Sequence, residues 1–181
     1  MASKWYINLS IAMIIVLALF ANRGESQAPI GSPGPVGSQG PVNEFCRTAD
    51  HKDLCTRMVR GATNLHDATR NAVESALNIA LKLQQMYPLL EPALSNLPPK
   101  TKNSVLDTCR ENFDSIVDDL KTGIDYVDKN DLASLNVHLS AVTSSDCSDA
   151  FDGSLMPQPV ADRITMMTQA ADNCLAVSEQ I

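Results

Sequence analysis

Leu106–Phe151 reads LDTCRENFDSIVDDLKTGIDYVDKNDLASLNVHLSAVTSSDCSDAF, and its apolar spacing decides the fold. Leu106, Cys109, Phe113, Ile116 with Val117, Leu120, Ile124 and Val127 recur at steps of three and four, which is one face of a helix. Leu132, Leu135, Leu139 and Val142 repeat the pattern after the polar turn Asp128-Lys129-Asn130, with Asp131 as the N-cap. A turn this short predicts antiparallel packing. That brings Cys109, near the start of the first helix, toward Cys147 at the end of the second.

Working outward, Asn64 is a good N-cap for a long helix running to about Tyr87, with Leu65, Ala68, Ala72 with Val73, Ala76 with Leu77, Ala80 and Leu83 as its inner stripe. Pro88 and Pro92 end it, and Asn96-Leu97-Pro98-Pro99 turns the chain back. After Phe151, Asp152-Gly153, Pro157 and Pro159 break the chain before a last helix from about Ala161 to Gln180. Aromatics are only 4% and runs of Val, Ile and Thr are short, which excludes a β-sandwich or barrel. The expected class is all-α: an up-down-up-down four-helix bundle over 62–181, preceded by a short disulfide-stapled helical hairpin over 43–61.

The start of the chain reads as an export signal. Lys4 supplies a positive n-region, Ile11–Ala21 is an uncharged apolar run, and Gly24-Glu25-Ser26 is the expected cleavage site, so 1–26 is assigned as a signal peptide. The run is shorter than the roughly 20 residues a spanning helix needs, and no later stretch is apolar enough. The mature protein is therefore expected outside the cell, with no membrane association after cleavage. Residues 27–42, QAPIGSPGPVGSQGPV, form a Pro/Gly-rich arm. Its few G-x-y triplets cannot sustain a triple helix, so it is a flexible linker.

The chain carries a net charge of −7, and cleavage after Ser26 would remove Lys4, Arg23 and Glu25 and make it more negative still. Such a chain does not bind nucleic acid or acidic polysaccharide non-specifically, and direct pectin binding is not expected; a basic protein partner suits it. The five cysteines are Cys46, Cys55, Cys109, Cys147 and Cys174. In a secreted chain they form two disulfides with one thiol over. Cys46 and Cys55 flank a polar turn and are the natural local pair, while the hairpin joins Cys109 to Cys147. Cys174 continues the stripe of Ile164, Met167 and Ala171, so it is a buried free thiol, with intermolecular pairing as its rival.

No cofactor or catalytic constellation emerges. There is no G-x-S-x-G elbow, H-E-x-x-H, P-loop or dinucleotide glycine fingerprint. No C-x₂₋₄-C pair exists and the three histidines have no ligand-like spacing to a cysteine, so metal binding is not expected. Asp118-Asp119 are neighbours on a helix and point apart. A secreted helical lipid-binding module is an alternative, disfavoured because tight Ala-rich stripes leave no internal cavity.

FCRTADHKDLC, LDTCRENFDSIVDDL, SLNVHLSAVTSSDCSDAF and the closing NCLAV together carry a family likeness across 45–181. The chain resembles the plant invertase and pectin methylesterase inhibitor family. The resemblance implies an enzyme inhibitor rather than an enzyme, the same disulfide pairs, and secretion to the cell wall. Invertase inhibitors of that family carry Pro-Lys-Phe before the third bundle helix, where this chain has Asn130-Asp131-Leu132. Asp131–Ala141, DLASLNVHLSA, is similar to the run typical of the esterase inhibitors. The resemblance thus implies a 1:1 complex with a pectin methylesterase, over whose pectin-binding cleft the second to fourth bundle helices would lie; invertase is the alternative target. Carried over by motif, the contacts are Glu111, Asn112, Asp118, Asp131 and Asp149, with Glu111, Asn112, Asp118 and Asp131 facing outward. Asp146 stands where the family usually has Thr, a departure that adds a charge.

Overall fold

The computed structural model describes residues 41–151 and 156–180. The expected signal peptide, and all of the expected arm except Pro41 and Val42, lie outside the described residues, as does the Asp152-Gly153 break. The described residues are helical, with no strand among them. In chain order the helices are α1 (Lys52–Met58), α2 (Leu65–Gln85), α3 (Leu90–Ala93), α4 (Pro99–Asp128), α5 (Leu132–Val142), α6 (Asp146–Ala150) and α7 (Gln158–Ser178). A 3₁₀ turn at Glu44–Cys46 precedes α1.

Helices α2, α4, α5 and α7 close a ring: α2 packs on α4, α4 on α5, α5 on α7 and α7 back on α2. Helix α1 leans on α7 and α2. Inside the ring Phe113, Leu83, Leu120, Leu135, Leu139 and Met167 are fully buried. Gly123 faces the interior of the bundle. A Cβ there would sit 3.2 Å from Leu135 Cδ1 and 3.6 Å from Val73 Cγ1, so the missing side chain lets α4 approach both α5 and α2.

Local chemistry sets the helix limits. Asn64 accepts from the backbone N–H of Asp67 at 2.9 Å and caps α2. Pro99 is the first residue of α4 and Pro159 lies in the first turn of α7, where no backbone N–H is required. Both helices therefore start earlier than the prolines suggest: these two belong to the helices rather than breaking the chain before them. Pro88 falls in a 3₁₀ turn at Tyr87–Leu89 and Pro92 in α3, so the expected plain turn is a compact helical corner.

The turn from α4 to α5 is a Schellman motif. Asn130, at φ +56°, donates to Val127 O at 2.9 Å, and Asp131 N–H donates to Tyr126 O at 2.9 Å. Asp131 then caps α5, accepting from Ser134 N at 3.1 Å. Three residues thus both end one helix and begin the next.

At its far end α5 stops at Val142, and Cys147 lies in the separate α6. The expected continuous helix through Cys147 is corrected here, and the cause is local. Ser140 Oγ, Thr143 Oγ1 and Ser144 Oγ donate to the carbonyls of Asn136, Ser140 and Ala141 at 2.7, 2.8 and 2.9 Å. Such side-chain bonds compete with the helical ladder. Cys109 and Cys147 join α4 to α6 with Cα atoms 4.2 Å apart, and Cys46 and Cys55 join the 3₁₀ turn to α1 at 5.8 Å. Cys174 is a buried free thiol, and burial pushes its pKa well up.

The buried face of α4 is Val105, Cys109, Asn112, Phe113, Ile116, Val117, Leu120, Gly123 and Val127. Leu106 and Ile124, also expected on that face, are only partly buried. Cys109, Phe113, Ile116, Val117, Leu120 and Val127 are buried as expected, and Gly123, which apolar counting skips, faces inward in place of Ile124.

Candidate functional site

Because α4 spans about 45 Å and α5 only about 16 Å at 1.5 Å per residue, α5 covers less than half of α4. The chain break at Thr143–Ser145 falls beside the uncovered part. It leaves a groove of about 340 Å³ between α4, the end of α5 and the start of α6. Glu111 and Asp119 from α4, Asp146 from α6 and Ala141 from α5 line it, together with the buried Asn112 and Ile116.

Asp119 is fixed by α5: its Oδ1 lies 2.8 Å from His138 Nδ1. The imidazole in turn stacks on Tyr126 of α4, with ring centroids 5.4 Å apart and 25° between planes. Lys129 Nζ stands 5.4 Å from the Tyr126 centroid. This column of side chains ties α5 to α4 and reaches the groove at Asp119.

The five motif-derived candidates do not form one patch. Glu111 is exposed and lines the groove. Asn112 lines it too, but it is 9% exposed and so is not on the outward face where it was expected. Its position explains this: it follows Cys109 by three residues and precedes Ile116 by four, inside the buried stripe. Asp118 is exposed and pairs with Lys121 at 3.3 Å one turn on, which compensates its charge.

Asp131 is engaged by its own helix, accepting from Ser134 N and from Ser134 Oγ at 3.1 and 2.7 Å. The Ser134 hydroxyl, and then its backbone N–H, hold the Asp131 carboxyl below the usual aspartate range. Asp149 is exposed on α6 outside the groove lining. Asp146, the departure from the family pattern, is a groove wall. Asp119 was named only as half of the Asp118-Asp119 pair and not as a partner contact; its place seven residues after Asn112, on the same helical face, is the signal that marks it. Among the described residues no cluster of three or more His, Cys, Asp or Glu side chains is placed to hold a metal ion.

The plant invertase/pectin methylesterase inhibitor family model matches residues 41–177. The chain belongs to this family. Its helical-bundle fold is shared with two solved structures of Arabidopsis pectin methylesterase inhibitors. One, a mutant form A, is 13% identical with a TM-score of 0.63, covering 76% of this chain and 95% of its own. The other, from Arabidopsis thaliana, is also 13% identical with a TM-score of 0.57, covering 80% and 97% respectively. Identities this low speak for the fold alone. No curated protein matches the sequence.

Proteins of the plant invertase/pectin methylesterase inhibitor family are extracellular inhibitors, not enzymes, and this membership assigns the chain an inhibitor role toward a pectin methylesterase or related enzyme. Among the described residues no helix is long and apolar enough to cross a membrane.

Proposed function

We propose that the protein inhibits pectin methylesterase, laying the α4–α5–α6 face across the enzyme's pectin-binding cleft in a 1:1 complex and excluding substrate. The observation that carries the choice of esterase over invertase is the α4–α5 turn. Where invertase inhibitors of the family carry Pro-Lys-Phe, this turn holds Asn130-Asp131-Leu132, and its polar groups are used to end α4 and cap α5. The two solved inhibitors that share the fold are named for the same esterase.

The surface chemistry supports occlusion. The outer side of α5 presents Ala133, Val137 and Ala141, exposed and uncharged, so another surface can approach closely. The acids Glu111, Asp146 and Asp149 lie beyond it on α4 and α6 and are exposed. A cleft that handles a polyanion is basic at its margins, and an acidic rim speeds encounter with it. Neither pectin nor nucleic acid is a ligand in this reading.

The test is to incubate the domain 43–181 separately with a plant pectin methylesterase and with a cell-wall invertase. Loss of esterase activity, with affinity falling as salt rises, supports the assignment. Loss of invertase activity alone overturns it.

A further inference from the structure

Helix α5 holds an apolar side chain outward between two polar ones that are bonded to its neighbours. Val137 is 69% exposed, the most exposed large apolar side chain among the described residues. At about 100° per residue, Leu135 and Leu139 lie nearly opposite it, and both are fully buried. Asn136 and His138 stand on its two flanks, one turned toward α7 and the other toward α4.

Asn136 Oδ1 accepts from Ser178 Oγ of α7 at 2.8 Å, and Leu175 O, 2.9 Å from the same hydroxyl, keeps that serine on its own helix. His138 Nδ1 donates to Asp119 Oδ1 of α4 at 2.8 Å, since an ionised carboxylate only accepts. Among the described residues these are the two side-chain hydrogen bonds from α5 to the other helices. We propose that Asn136 and His138 are positioning residues, a two-sided clamp that fixes the rotation of α5 about its axis and so presents Val137 as a preset apolar contact for the partner enzyme. The inference rests on reading the chain as an inhibitor, and it assigns the geometry of the inhibitory face to two side chains that act through their neighbours.

The buried side of α5 leaves this work to be done. It is Leu135, Leu139 and Val142, and apolar burial has no direction of its own. A turn of about 20° about the helix axis moves a side chain standing 5–6 Å from that axis by about 2 Å. A gap of about 1 Å already forfeits up to half of the attraction between two apolar atoms, so an outward contact survives only if the rotation is held. Hydrogen bonds supply the missing direction, because they weaken steeply off axis, and bonds on opposite flanks resist a turn either way. The stack of His138 on Tyr126 holds the imidazole plane in place.

Two measurements test this. The first compares His138→Leu with His138→Asn. Leucine keeps an apolar side chain against Tyr126 and offers Asp119 nothing; asparagine packs less, but its Nδ2 takes the place of the ring Nδ1. The clamp requires stability and inhibition to rank the two in opposite orders. His138→Leu melts at or above His138→Asn yet inhibits a pectin methylesterase roughly tenfold more weakly than wild type, about the cost of ordering one or two interface side chains anew. His138→Asn stays within about threefold of wild type. Inhibition that follows thermal stability, or that His138→Leu leaves unchanged, overturns the clamp and leaves the inhibitor reading standing. If His138→Leu does not fold, Asn136→Ala takes its place, judged on the same loss.

In the second, residual dipolar couplings of the backbone amides report the rotation of each helix in isotope-labelled protein. Removing both bonds in Asn136→Ala/His138→Leu should shift or shrink the α5 couplings while those of α2, α4 and α7 keep their wild-type values. Couplings in α5 equal to wild type overturn the clamp. This arm needs no esterase. A wild type that inhibits no esterase therefore defeats the proposed function while the clamp is still decided.

Discussion

Removing the Cys109–Cys147 bridge tests whether the α4–α6 staple holds the inhibitory face together. The two cysteines are 38 residues apart, against 9 for Cys46 and Cys55. If cross-links act by restricting the unfolded chain, closing these loops contributes about 3.9 and about 2.7 kcal/mol respectively. All four sulfurs are fully buried, so alanine is the fitting replacement; serine would bury hydroxyls without partners. The packing lost with the sulfurs is similar in the two pairs and largely cancels when they are compared.

At roughly 2.1 cal/mol/K of unfolding entropy per residue, a domain of about 140 residues shifts its midpoint by about 3.4 °C per kcal/mol. Circular-dichroism melts at neutral pH should then show Cys109→Ala/Cys147→Ala about 13 °C below wild type, and Cys46→Ala/Cys55→Ala about 9 °C below. Esterase inhibition at a temperature where both remain folded should weaken more in the first, because α6 is a single short helix that carries Asp146 and Asp149 and is held to α4 by that bridge. A Cys109/Cys147 variant that melts within a few degrees of wild type, or no lower than the Cys46/Cys55 variant, refutes the reasoning.

Other perturbations read out single features. Gly123→Leu forces a side chain into the 3.2 Å gap to Leu135 Cδ1 and should cost about 2–3 kcal/mol in urea unfolding; a variant as stable as wild type would show that the helices do not meet there. Asn130→Ala places an ordinary residue at φ +56° and should destabilise by about 1 kcal/mol, while Asn130→Gly should match or exceed wild type. Asp131 has a folded pKa below its unfolded value, so its ionised cap stabilises above the ordinary aspartate range and that stabilisation is lost as pH falls through the folded value. Asn also caps well, so the wild-type advantage over Asp131→Asn in melting temperature should shrink as pH drops below about 4; a gap independent of pH would count against the assignment.

The chain itself determined the helical class, the caps at Asn64 and Asp131 and the order of the bundle, because apolar periodicity and capping act within a turn or two of helix. It also pointed to the antiparallel α4–α5 pair, since a three-residue connection leaves no other packing. Reading prolines as breakers failed at Pro99 and Pro159, which sit where a helix needs no N–H.

Only the tertiary structure decided which polar residues are available to a partner. Asp118 and Asp131, chosen by motif, are engaged by Lys121 and Ser134 within their own helices. Asp119 is held by His138 across helices, and Asn112 is buried in the stripe without a partner for its oxygen. The groove draws its walls from three elements and exists because α5 stops short of α4. Periodicity along one helix cannot report the groove or the hold of His138 on Asp119, 19 residues away, since packing alone brings those side chains within reach.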